Sequence, residues 1–236
     1  MTDAAALILA AGRGERLGAD APKAFLPLAG TTMVSLAARS AARSLAFGPI
    51  VLVVPGGWEG RARSLVPSTP NLAVVRGGAT RQESVRLGLH AVPAGTHVVA
   101  CHDAARPFAS PALFSRVVAA LTADQDATGV IPVIPIADTV KRVNDDVVTA
   151  TESRENLVLA QTPQAFRVDA LADAHARALA ESFEATDDAA LVERFGGLVR
   201  TVPGEPDNFK VTTPEDLARA ESVLSSGAHQ VRTARG

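Results

Sequence analysis

Tyrosine is absent from this chain of 236 residues, and aromatic residues of all kinds make up 4% of it. A single-stranded nucleic-acid platform, which stacks bases on aromatic faces, lacks its material here. The core must be aliphatic, drawn largely from Ala, Val and Leu. Cysteine is nearly absent too: with Cys101 alone, neither an intrachain disulfide nor a thiolate zinc cluster can form, which suits a reducing compartment. Neither sign of charge is in excess, since 23 Lys+Arg against 25 Asp+Glu leave a formal −2. Broad electrostatic binding to nucleic acid or to an anionic membrane is thereby excluded. Any anionic ligand must be met by a few well-placed Arg and Lys. No apolar run is long enough to span a bilayer and no basic leader precedes one. The expectation is a cytoplasmic protein with no nucleic-acid or membrane partner.

What is present is an alternation of short Val/Ile/Leu-rich runs with longer Ala-rich amphipathic stretches. That rhythm predicts an α/β protein: a Rossmann-like, mostly parallel sheet with helices on both faces. Strands are predicted at Ala5 to Ala10, Ile50 to Val54, Leu72 to Val75, His97 to Cys101, Gly129 to Val133 and Leu198 to Val202. Helices are predicted at Thr32 to Ser44, Arg81 to His90, Pro111 to Leu121, Val168 to Glu181, Asp187 to Phe195 and from Pro214. Ser110-Pro111 and Thr213-Pro214 each read as a cap followed by proline at the first helical position. Between Pro135 and Val168 the rhythm breaks. Asp138 to Val143, the turn-like Asn144-Asp145-Asp146 and Val147 to Thr151 read as a polar β-hairpin, for which a solvated loop is the plainer alternative. Residues 1–225 are expected to form one domain with 136–156 as a projecting arm, and 226–236 a frayed tail.

The strongest local signal follows the first strand: Leu9-Ala10-Ala11-Gly12-Arg13-Gly14-Glu15-Arg16-Leu17-Gly18, then Pro22-Lys23. Small residues let the backbone approach a ligand closely, and successive amide N–H groups form a nest for phosphate oxygens. Arg16 and Lys23 add a forked and a point cation. A P-loop would end in Gly-Lys-Ser/Thr, which is missing, and a dinucleotide fingerprint would need Gly or Ala where Leu17 stands. The run resembles the signature of nucleotidyltransferases that make nucleotide-activated sugars and alcohols.

Further segments follow in order: Gly77-Gly78-Ala79-Thr80-Arg81-Gln82-Glu83-Ser84-Val85, His102-Asp103-Ala104-Ala105-Arg106-Pro107, Asp138-Thr139-Val140-Lys141-Arg142, Gln161-Thr162-Pro163-Gln164 and Asp207-Asn208-Phe209-Lys210-Val211-Thr212. Together with the first loop they resemble the 2-C-methyl-D-erythritol 4-phosphate cytidylyltransferase family. The resemblance implies a reaction in which CTP and the methylerythritol phosphate yield a CDP-alcohol and pyrophosphate, in the non-mevalonate route to isoprenoid precursors. Such chemistry needs no general base, because a phosphate monoester is largely a dianion at pH 7. It needs cations and a divalent metal, Mg²⁺ or another, to bring two polyanions together.

By the same resemblance, Arg16, Lys23 and Lys210 are the catalytic cations. Ala10, Ala11, Gly12, Gly14, Gly78, Arg81, Ser84, Asp103 and Ala104 join Arg16 and Lys23 in binding CTP. Arg106, Thr139, Arg154, Thr162 and Lys210 match the positions that bind the alcohol phosphate, and Asp103 and Asp207 are the metal carboxylates. The arm implies a homodimer with composite sites. Each residue also has an ordinary reading: a lone Lys is commonly a solvated charge, and an Asp at a strand end is commonly a cap or turn former. His102 and the other histidines lack metal-ligand spacing and read as structural or solvated. The competing functions are a ribitol-5-phosphate cytidylyltransferase, whose CTP half would look the same, and a non-catalytic nucleotide-binding module.

Overall fold

The computed structural model describes residues 3–12, 21–66, 69 and 71–226. Strand β1 (Ala4–Leu9) is six consecutive buried apolar residues, the pattern of a strand covered on both faces. A 3-10 turn (Lys23–Phe25), the short pair β2 (Pro27–Leu28) and β3 (Thr31–Thr32), and α1 (Met33–Arg43) follow. Alternation continues through β4 (Ile50–Val54), α2 (Glu59–Leu65), β5 (Leu72–Arg76), α3 (Arg81–Leu89), β6 (Val98–Asp103), α4 (Pro111–Ala123) and β7 (Gly129–Pro135). The rest comprises β8 (Val140–Asn144), β9 (Val147–Glu152), β10 (Val158–Ala160), β11 (Gln164–Arg167), α5 (Val168–Ala180), α6 (Asp188–Arg194), β12 (Val199–Pro203) and α7 (Pro214–Ser225).

An eight-stranded sheet organises the molecule. At its centre β1 pairs in parallel with β4 and β6, and β5 extends the sheet beyond β4. On the other side β11 runs antiparallel between β6 and β7. β10 continues the line of β11 along β7, and β12 pairs in parallel with β7. Side chains alternate between faces along β1: Ala6 and Ile8 pack with Val34, Leu113 and Phe114, while Leu7 and Leu9 pack with Val85, Phe166 and Leu171. Two largely aliphatic cores thus sandwich the sheet, each including a fully buried phenylalanine. The expected caps form: the Ser110 hydroxyl accepts from the Leu113 N–H at 3.0 Å, and Thr213 and Asp216 make a reciprocal capping box.

The structure adds elements that periodicity does not reveal. Helix α2 buries only Ala62, so it has no apolar stripe to read. β11 has four residues beside Pro163, too short for alternation to stand out. The expected hairpin is present as β8 and β9, a two-stranded antiparallel sheet separate from the main one. Asp145 and Asp146 turn it with φ of 44° and 65°, the left-handed pair that matches the twist of a tight hairpin. One expectation needs correcting. The hairpin is not simply polar, for Val143, Val147 and Val148 are each more than half exposed. Cross-strand pairing forms a hairpin whether or not its faces are buried, so alternation alone did not separate a solvated arm from one bearing apolar surface. Residues 227–236 of the expected tail lie outside the described residues, and among those described no helix is long and apolar enough to cross a membrane.

Candidate active site

In open α/β sheets ligands collect beyond the carboxyl ends of the parallel strands. Here those ends frame a cleft of about 280 Å³. Its lining comes from segments far apart in the chain: Ala10, Ala11 and Gly12 after β1, Lys23 and Ala24, Gly78 to Arg81 and Ser84, Asp103 and Ala105, and Lys210.

Local packing explains why each faces inward. Phe25 is buried against Trp58, with ring centroids 4.9 Å apart. That anchors the 3-10 turn and leaves Lys23 on the cleft side. The turn before α3 is tied by its own side chains. Thr80 caps the helix, Glu83 accepts from the Ala79 N–H at 2.7 Å, and the Ser84 hydroxyl accepts from the Gly78 N–H at 3.1 Å while donating to the Thr80 carbonyl. Glycine is required at position 77, where a Cβ would lie 2.5 Å from the Ala11 Cβ, whereas a Cβ on Gly78 would displace the Glu83 side chain that accepts from Ala79. The first loop and the α3 turn therefore approach at backbone contact.

The segment bearing Lys210 is held by its neighbours. Asn208 is fully buried and donates to the Thr162 carbonyl at 2.8 Å, the Val211 N–H donates to the Ala105 carbonyl at 2.8 Å, and Phe209 lies against Phe108 and under the Arg219 guanidinium. Lys210 is left pointing into the cleft.

The floor of the cleft is a chain of charges. Asp103 ends β6 with one oxygen 3.0 Å from Arg81 Nε and the other 2.7 Å from Lys210 Nζ. Arg81 Nη2 lies 2.9 Å from Asp188 Oδ2, and Asp188 Oδ1 accepts from His175 Nε2 at 3.2 Å. Burial alone would raise the Asp103 pKa, but Arg81 and then Lys210 hold the carboxyl well below the usual carboxylate range. His102, next along β6, is buried and pushed down to about 4, chiefly by desolvation. Its Nε2 faces the Arg106 carbonyl at 3.1 Å, so Nδ1 is the acceptor. It receives the Thr162 hydroxyl at 3.0 Å, while Thr162 Oγ1 accepts from the Asp103 N–H at 3.1 Å. Neutral His102 thus braces the backbone of Asp103, the structural part expected of it.

The structure brings together Ala10, Ala11, Gly12, Lys23, Gly78, Arg81, Ser84, Asp103 and Lys210. Gly14 and Arg16 lie outside the described residues. Ala104 packs into the core with its N–H on the Leu9 carbonyl, and Ala105 lines the cleft instead. Thr162 is buried beneath Asp103, and Arg106 donates to the carbonyls of Asn208 and Ala160. Thr139 and Arg154 are exposed at the foot of the arm, where Arg154 donates to the Ala137 carbonyl. Asp207 is exposed and does not line the cleft.

Among the described residues no three His, Cys, Asp or Glu converge as a metal site. Among the described residues Asp103 is the one carboxylate lining the cleft, with both oxygens facing cations. That set does not fit a resident ion. Mg²⁺ carried on a polyphosphate would need only one or two carboxylates beside the substrate oxygens.

The sequence pattern of the family described as 2-C-methyl-D-erythritol 4-phosphate cytidylyltransferase (IspD) matches residues 4–226. The chain belongs to this family. A cytidylyltransferase of that name from Nocardia farcinica is 47% identical over 225 residues, covering 94% of each chain, and one from Rhodococcus opacus is 46% identical over 95% of this chain and 96% of the relative. The crystal structure of 4-diphosphocytidyl-2C-methyl-D-erythritol synthase from Anaerococcus prevotii superposes with a TM-score of 0.83 at 32% identity, over 95% of this chain and 99% of that one. The architecture is thus the α/β nucleotidyltransferase fold of the IspD enzymes.

Within that family framework, sequence reasoning passed over Asp188 and His175, which continue the cleft's charge chain inward. A signal was there. Asp187 caps α6, accepting from the Ala190 N–H at 2.9 Å, so Asp188 is not the cap. It shares the buried helix face of Leu191 and Val192, and a carboxylate on an apolar helix face implies a buried partner. Gln161 was also underrated. It exchanges hydrogen bonds with the backbone of Glu205 and accepts from Asn208, bracing the Lys210 segment.

Proposed function

We propose that this protein transfers CMP from CTP to 2-C-methyl-D-erythritol 4-phosphate, releasing pyrophosphate. The observation that carries the reading is the convergence of the first loop, Lys23, the α3 turn, Asp103 and Lys210 on one cleft, in a member of a family named for that reaction. The nucleophile is the acceptor's phosphate dianion, which needs no deprotonation. Its oxygen attacks the α-phosphorus of CTP, and the bond to the pyrophosphate oxygen breaks in line.

The protein's contribution is positioning and charge neutralisation. Lys23 and the amides of Ala11 and Gly12 receive the triphosphate, together with Arg16 by motif. The rigid turn of Gly78, Arg81 and Ser84 reads the cytosine side, where a wrong base would leave polar groups unpaired. Lys210 neutralises charge on the α-phosphate. Its side chain is 41% exposed against 12% for Asp103, so it can turn to an incoming phosphate while Asp103 keeps Arg81. Asp103, with Asp207 outside the cleft lining as the second candidate, would be the carboxylate to hold a Mg²⁺ ion bound with CTP, which would supply further neutralisation of the phosphate charge.

We also propose a homodimer. The arm and the nearby β10 segment expose Val143, Val147, Val148, Val158 and Leu159, each half exposed or more. Apolar surface on a projecting hairpin suits a partner subunit. Thr139 and Arg154 lie at the foot of that arm and do not line their own subunit's cleft, which favours their serving the acceptor across the interface, with Arg106 and Thr162.

Pyrophosphate release with CTP, Mg²⁺ and a panel of alcohol phosphates tests the reading. Turnover with methylerythritol phosphate is expected. Absence of release with every acceptor would sink the enzymatic reading, and release with ribitol 5-phosphate alone would replace the acceptor.

A further inference from the structure

The charge chain does not stop at the cleft wall. Asp188 and His175, each 1% exposed, lie behind Arg81 on helices α6 and α5, about 100 residues further along the chain. A buried carboxylate costs several kcal/mol of lost hydration unless something offsets it, and Asp187 already caps α6. Asp188 is therefore not maintained by helix capping.

Its geometry points to a task. The planar guanidinium of Arg81 is shared between two carboxylates, Nε on Asp103 at 3.0 Å and Nη2 on Asp188 at 2.9 Å. The second contact is an ion pair without an in-line hydrogen bond, for Asp188 Oδ2 has no donor aligned on it. The rotamer of Asp188 is set from the other side, where His175 Nε2 donates to Oδ1 at 3.2 Å. We infer that Asp188, pinned by His175, is a positioning residue that holds Arg81 so that Arg81 in turn fixes the Asp103 carboxylate at the nucleotide site.

The division of labour is consistent with the burial. Asp188 cannot follow a ligand outward, so Arg81 stays anchored when Lys210 turns away from Asp103. Burial would raise the Asp188 pKa, but the Arg81 charge and then the His175 hydrogen bond keep it below its usual value. The carboxylate is therefore charged throughout the working range. A lysine at position 81 could not do the same, because a single ammonium lacks the fork that meets two carboxylates at once.

This inference rests on the cleft being the CTP site, and the experiment separates the two. Calorimetric MgCTP binding is measured for wild type, Asp188→Asn, Arg81→Met and the double variant, alongside the Nε–Hε NMR signal of Arg81, assigned by its loss in Arg81→Met. Asp188→Asn is expected to weaken CTP binding about tenfold, to change kcat at saturating CTP by less than about threefold, and to shift the Arg81 signal; one decade corresponds to about 1.4 kcal/mol. In the Arg81→Met background the same change is expected to have no further effect on affinity.

A charge-only role predicts the opposite sign, since removing a negative charge would tighten polyanion binding. Tighter or unchanged binding in Asp188→Asn, or equal weakening in both backgrounds, overturns the inference. If wild type binds no CTP, the nucleotide reading fails, and the Arg81 signal alone decides the positioning: shifted in Asp188→Asn supports it, unmoved overturns it. Should Asp188→Asn not fold, His175→Leu and His175→Gln take its place. His175→Gln keeps a donor and should preserve affinity, whereas His175→Leu should weaken it severalfold. Wild-type affinity in His175→Leu overturns the proposal.

Discussion

The cleft and the arm are built on opposite terms. In the cleft the charges on the floor meet their counter-charges within the subunit: Lys210 and Arg81 on Asp103, and Arg81 again on Asp188. The arm satisfies its backbone in a two-stranded ladder but leaves valines in water. A region complete in itself can be preorganised for a ligand before it arrives. Apolar surface to spare on the arm suits the proposed partner subunit. The difference teaches where to look for each half of the proposed reaction, with the nucleotide in the cleft and the acceptor at the interface of the proposed dimer.

The sharpest break falls on the cleft. Lys210→Ala should lower the rate of pyrophosphate release by about 10²–10³-fold, the usual effect of removing one preorganised charge-stabilising donor, with a smaller change in the KM for CTP. A wild-type turnover number in that variant would remove Lys210 from the chemistry.

Beneath the cleft, His102 should make stability acid-sensitive. Its folded pKa is depressed to about 4, against about 6.5 for an unfolded histidine. Its stabilising contribution is therefore present above pH 6.5, where neither state binds the proton. It is lost as pH falls toward 4, because the unfolded chain takes up a proton that the folded one refuses. The integrated effect is roughly 3 kcal/mol. Urea midpoints measured between pH 7.5 and 4.5 should fall in wild type, and the curve should be flatter in His102→Gln. Asp103, also depressed, contributes its own loss only further into acid, below the unfolded carboxylate value.

On the arm, the expected effects move to association and to the acceptor. Val147→Asp with Val148→Asp should shift sedimentation toward monomer and raise the KM for the alcohol phosphate about tenfold, while CTP affinity stays within about twofold; one decade is about 1.4 kcal/mol. Arg154→Ala should affect the same acceptor constant without altering association. If either change weakened CTP and acceptor equally, the contrast between the two regions would collapse.

The smallest effect concerns the arm's tip. Asp146 sits at φ 65°, where a β-branched side chain costs about 1–2 kcal/mol. Asp146→Val should speed amide exchange in β8 and β9 and leave the melting of the sheet domain unchanged. Asp146→Gly should be close to neutral.

Much of the fold was legible because its signals are local. Six apolar residues in a row announced β1, and Ser110-Pro111 and Thr213-Pro214 marked the starts of α4 and α7. Elements lacking a local signature were not legible. β11 joins β6 to β7 through only four residues, and it is a strand because two others present their edges to it. The site shows the same division. Gly77 and Gly78 were visible as part of a motif, yet the close approach of Gly77 to Ala11 depends on packing. Thr162 was visible as part of a motif, but its place between His102 and Asp103 was not.

By itself the sequence determined the alternation of strand and helix, the aliphatic character of the core, the family, and the residue types able to meet phosphate. Those properties reside in composition, periodicity and spacing along the chain. Only the tertiary structure decided that Asp103 would share Arg81 with Asp188, that His102 would be buried neutral, and that the arm would leave valines uncovered. Each depends on groups tens of residues apart in the chain reaching within about 3 Å of one another or being kept apart. Electrostatic partnership and burial are properties of that assembled neighbourhood.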